Sequence, residues 1–163
     1  MRQAIADHLD SRQVSRVLYG SIIGLALVVA LEAHPPRAGV IAATLFATAI
    51  AVGLAELYSD IVGTETRTRA RVEWHQITEM LDEIAAVAAG ISFPALFFLL
   101  AAVGAIERDA AFAIAKWSGL GLITVYGFIA ARLTGATVLG SVRRAAIAGV
   151  IAAFLIAIKA VLH

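Results

Sequence analysis

Cysteine is absent from this 163-residue chain. That excludes disulfides, thiolate metal sites and cysteine nucleophiles together. Charge is scarce as well: 15% of the residues are Asp, Glu, Lys or Arg, against roughly 25% in an ordinary soluble domain. The net charge of +1 gives no basic surface of the kind nucleic acid requires, so no nucleic-acid partner is expected. Also missing are a phosphate-binding Walker loop, a dinucleotide fingerprint, an HExxH or GxSxG motif and any Ser/His/Asp constellation. Neither an enzyme nor a cofactor is expected. Met1–Ser15 is polar and amphipathic, without a short apolar core and a small-residue cleavage site, so no cleavable signal is expected.

What the chain has instead is apolar length. Hydrophobic residues make up 61% and mean hydropathy is +0.88. The excess falls in runs, which reads as surface facing lipid rather than an oversized core. Spans are expected at residues 17–32, 38–58, 84–106, 110–132 and 145–162. The run Val17–Leu31 covers roughly 22 Å of a hydrocarbon layer about 30 Å thick. Snorkelling Arg16 and Glu32 at its ends make up the difference. The fold expected is all-α: a polytopic membrane protein with five transmembrane helices. A cytoplasmic segment at 1–16 precedes a single membrane domain at 17–163. An amphipathic helix at about 64–83, carrying Val72, Ile77, Leu81 and Ile84 at helical spacing, is expected to lead into the third span.

Basic residues set the expected orientation. Arg2, Arg12 and Arg16, then Arg67, Arg69 and Arg71, then Arg132, Arg143 and Arg144 lie on one side of the alternating spans, and Arg37 and Arg108 on the other. The positive-inside rule puts the N-terminus in the cytoplasm and the C-terminus outside. Tyr19, Tyr58, Trp74 and Tyr126 then fall near the inner interface and Trp117 near the outer one, where amphipathic rings prefer to sit. Small residues recur on the spans. Gly20 with Gly24, and Ala145, Gly149 and Ala153, form faces that let backbones approach closely, and five short spans enclose little by themselves, so a homo-oligomer is expected.

Glu56 is the leading functional candidate, because a carboxylate inside a span is costly and commonly faces protein or water. Asp60 lies one turn on along the same face, with Tyr58 between them and Thr44 and Thr48 earlier on the helix. This set reads as an ion or proton pathway. The plainer reading is that Glu56 pairs with Arg16, Arg132 or a tyrosine hydroxyl. Glu32, Lys116, Lys159 and His163 gather at the outer ends of the spans, where Glu32–Lys159 or Glu107–Lys116 pairs would form. The plainer reading there is snorkelling lysines and a solvated end. His75, Glu79 and Glu83 recur every four residues and offer a file of metal ligands, or else a solvated face bridged to Arg67–Arg71. Pro94 is expected to kink the third span. Tyr19-Gly20 and Tyr126-Gly127, with Arg37-Ala38 and Arg144-Ala145 at the same offset, hint at an inverted repeat.

Leu18-Tyr19-Gly20, Leu54-Ala55-Glu56-Leu57-Tyr58 and Lys159-Ala160-Val161-Leu162-His163 together resemble a group of short, alanine-rich, five-span bacterial integral membrane proteins. That resemblance implies five spans and a bacterial inner membrane, and brings no activity. The six residues Leu54–Ser59 are also similar to the Gly-Glu-Tyr stretch of vacuolar-type iron transporters. The function expected is a small oligomeric ion channel or transporter for a cation or proton, with the bilayer and further copies of the chain as partners. The alternative is a non-catalytic membrane scaffold that docks a partner through 64–83.

Overall fold

The computed structural model describes the backbone of residues 11–133, 135 and 137–162, and the side chains of these except 11, 12, 133, 144, 148, 151, 152 and 155–162. Six helices follow one another: α1 (Ser11–Leu31), α2 (Ala38–Thr68), α3 (Trp74–Ser92), α4 (Ala95–Ala102), α5 (Arg108–Leu133) and α6 (Val138–Leu162), with no strand among the described residues.

Each break between helices has a local cause. Pro35 and Pro36 cannot continue α1, and the next residue, Arg37, caps α2 in an extended conformation. Arg69 ends α2 in the left-handed region (φ 55°), donating its N–H to the Glu65 carbonyl at 2.8 Å. Glu73 restarts the chain with a capping box: its side chain accepts the N–H three residues on, and Gln76 accepts the Glu73 N–H at 2.9 Å. Pro94 separates α3 from α4, and the two meet at a bend of 48°. Gly104 (φ 79°) provides the left-handed residue in the turn before α5.

The expected helix over 64–83 is therefore two pieces. Thr64–Thr68 is the end of α2, and Trp74 begins a separate helix that runs on into the third apolar run. The amphipathic pattern was real on the α3 side, but a pattern does not register a single residue turning left-handed. At 31 residues α2 is about 46 Å long, longer than a hydrocarbon layer of about 30 Å.

Three helices are long and apolar enough to cross a membrane: Gln13–Leu31, Ala38–Thr68 and Arg108–Arg132; the bent pair α3–α4 makes a fourth if it is one span. The fifth expected span, 145–162, lies on α6, and most of the side chains of that span fall outside the described residues.

Helix α1 is central, packing on α3, α5 and α6, while α2 packs on α3 and α4. The tightest contact is between α1 and α3. A Cβ on Gly20 would come 2.1 Å from the Val87 carbonyl oxygen, and one on Gly90 would come 2.7 Å from the Val17 carbonyl oxygen. The Gly20–Gly24 pair is thus consumed inside the chain, and so is Gly149, where a Cβ would stand 3.2 Å from Thr124 Oγ1. Gly20, Gly24 and Gly149 bring helices of the same chain together. Apolar clusters fill the rest, one around Val28, Ile41, Leu45 and an edge-to-face pair, Phe98–Phe112, with centroids 4.8 Å apart. Val40, Phe46, Ile50 and Leu54 on α2 stay exposed, an apolar face suited to hydrocarbon.

Candidate functional site

Three helices deliver charge to one point. Glu56 and Asp60 stand one turn apart on α2 and so share a face. Glu83 precedes the buried Ile84 on α3, and Arg16 follows the buried Val14 on α1. Arg16 Nη1 donates to Glu56 Oε2 at 2.9 Å, and Nη2 donates to Asp60 Oδ2 at 3.3 Å and to Glu83 Oε2 at 3.0 Å. Nε donates to the same Glu83 oxygen at 3.2 Å. The guanidinium fork suits this arrangement, since its planar donors reach three carboxylates at once where an ammonium would be a point charge. The four side chains are 16–34% exposed. Beside them opens a polar cavity of about 350 Å³, lined further by Thr64, Arg67, Gln76, Glu79 and Met80.

A second ionic contact closes the other end of the bundle. Lys116 Nζ on α5 donates to Glu32 Oε1 at 2.6 Å. Glu107–Lys116 or Glu32–Lys159 was expected; the structure joins Lys116 to Glu32, because α5 lies against α1. His163 and the Lys159 side chain lie outside the described residues. Arg16 on α1 and Glu32, the residue just past its end, are about 24 Å apart along its axis, so the two ionic layers bracket the apolar part of the fold.

Between these layers several hydroxyl groups turn to their own helices. Ser21 donates to the Val17 carbonyl at 2.7 Å, Thr44 to Val40 at 2.8 Å, Thr48 to Thr44 at 2.8 Å and Thr124 to Leu120 at 2.8 Å. Thr44 and Thr48 do not join Glu56; Thr48 stands about 12 Å from it along the helix. Tyr58 is 72% exposed and, among the described residues, makes no hydrogen bond to Glu56.

The file of His75, Glu79 and Glu83 does not converge. His75 Nε2 and Glu79 Oε1 lie 3.3 Å apart on the exposed face of α3, while Glu83 turns to Arg16. Among the described residues no three His, Asp or Glu side chains stand close enough to hold a metal ion. Arg16 is one of the partners expected for Glu56 in the plainer reading, whereas Glu83 was placed in the metal file. Both directly flank an apolar run on the same side as Glu56 and Asp60, so their shared depth was available from the run boundaries alone.

Comparison with protein-family models, with curated proteins and with solved structures finds no match for this chain.

Proposed function

We propose that this protein is a small, oligomeric, five-span membrane channel or transporter for a cation or proton. Its N-terminus would be cytoplasmic and its C-terminus outside, in a bacterial inner membrane. The observation that carries this reading is the convergence of Glu56, Asp60 and Glu83 on Arg16 at one edge of the apolar layer, beside a polar cavity. Among the described side chains lining the cavity, Asp60, Glu79 and Glu83 outnumber Arg16 and Arg67, which favours a cation at the mouth. A cation or proton arriving at Glu56 displaces one of the Arg16 hydrogen bonds while the contacts to Asp60 and Glu83 persist. Glu56 is therefore the accepting group and Asp60 its neighbour on the aqueous side.

Because Ser21, Thr44, Thr48 and Thr124 bond to their own backbone, the proposed route runs between copies. Tyr58, exposed on α2, is suited to line that route. The reading includes no catalysis. Flux of protons, sodium, potassium and divalent metals into proteoliposomes, measured with Glu56→Gln alongside, tests it. A selective flux lost in the variant supports it, and a flux unchanged in rate and selectivity overturns the role of Glu56.

One observation favours a second reading. The α2–α3 hairpin extends about 12 Å past Asp60, far enough to dock a soluble protein as a non-catalytic scaffold. That reading expects Glu56→Gln to be tolerated.

A further inference from the structure

We propose that the turn joining α2 to α3 is a docking surface for anionic phospholipid headgroups. The inference stands apart from ion conduction. The two carboxylates of the turn face the backbone: Glu65 Oε1 accepts the Val72 N–H at 3.3 Å, and the Glu73 carboxylate accepts an N–H in the first turn of α3. The arginines do the reverse. Arg67, Arg69 and Arg71 are exposed, and among the described residues none of them makes an ion pair. The acids are thus committed to holding the turn, and the positive charge is left outside.

Two further observations sharpen this. Arg69 occupies a left-handed position (φ 55°), where glycine costs nothing and an arginine is strained. The chain keeps a charge where its backbone favours glycine. Trp74, at the foot of the turn, is 74% exposed. An indole beside guanidinium groups is the pairing that membrane interfaces favour, since the ring settles among headgroups while the cations meet phosphate. The height is also suitable. The turn stands about 12 Å past the Arg16 cluster along α2, beyond a headgroup layer of about 5–7 Å. Long arginine side chains reach back across that gap, and it is comparable to the screening length of about 8 Å at physiological salt. An acidic protein would meet the same charges, and is the outcome that the polyglutamate arm of the test reads.

The test uses the full chain in nanodiscs with Trp117→Phe, so that Trp74 is the only indole. Brominated phosphatidylglycerol should quench Trp74 more than brominated phosphatidylcholine at equal content. High salt should equalise the two, and so should the combined Arg67→Gln, Arg69→Gly and Arg71→Gln variant, with each arginine carrying about a fivefold share of the preference. Arg69→Gly alone suits the backbone, and the salt arm needs no arginine variant, so a poorly folded triple variant leaves the proposal exposed to failure. Equal quenching by the two lipids at low salt would overturn it. A response of Trp74 to polyglutamate in neutral nanodiscs, without a preference for phosphatidylglycerol, would overturn it in favour of a protein dock.

Discussion

Gly20 lies so close to Val87 that a Cβ on the glycine would stand 2.1 Å from the valine carbonyl oxygen and 2.9 Å from its carbonyl carbon. Backbone meets backbone there, with Gly90 closing the contact from the other helix. A flexible side chain could swing away; two helix backbones have to separate. Gly20→Val should therefore cost about 3 kcal/mol or more through overpacking, read as a lower unfolding midpoint in detergent. Gly63 is the control, because nothing stands within 4 Å of the Cβ it would gain. Gly63→Ala should be neutral or gain about 0.5–1 kcal/mol from helix propensity.

Arg16 ties α1 to both α2 and α3, and its removal leaves three carboxylates facing one another. Arg16→Gln is expected to cost about 2–4 kcal/mol, below the full penalty for a buried pair because water reaches part of the cluster. Glu56→Gln keeps a hydrogen-bond acceptor and leaves Arg16 its other two partners, so about 0.5–1.5 kcal/mol is expected. In the double variant the two losses should fall short of additive, which a double-mutant cycle on unfolding free energies reads directly. Equal costs for the two single variants would mean that Glu56 is the only partner of Arg16 that matters.

Much of this fold is legible in the sequence, for one physical reason. Apolar runs bounded by arginine and proline announce helices of membrane length, and α1, α2 and α5 occupy such runs. Glu56 and Asp60 share a face because helix period requires it, and Arg16 was among the partners open to Glu56. Three things were less legible. The Arg69 turn has neither glycine nor proline, so nothing local signals it. The partner of Lys116 depends on which helix lies beside α5, a property of packing. The destination of Gly20 and Gly24 was open for the same reason: a small-residue face specifies close approach and says nothing about whether the neighbour belongs to the same chain.

Arg69 offers a test of strain. Its left-handed conformation should make Arg69→Gly stabilising by about 1 kcal/mol, measured as a rise in unfolding midpoint, while Arg69→Ala should bring no such gain. A destabilised Arg69→Gly would show that the guanidinium holds the turn through contacts that outweigh the backbone.

The pair at the opposite edge tests whether an ion contact there is structural. Lys116 and Glu32 are each about one quarter exposed and meet at 2.6 Å, so each shields the other from a poorly solvated site. Lys116→Met leaves Glu32 without this partner and should cost about 1–3 kcal/mol. Adding Glu32→Gln to Lys116→Met should restore part of that loss, because the carboxylate charge left behind is removed as well. The two end clusters stand about 24 Å apart on α1, well beyond the distance at which substitutions couple. The Lys116 and Arg16 substitutions should then add. Clear non-additivity between them would mean that α1 shifts as a rigid rod, carrying a change at one edge of the apolar layer to the other.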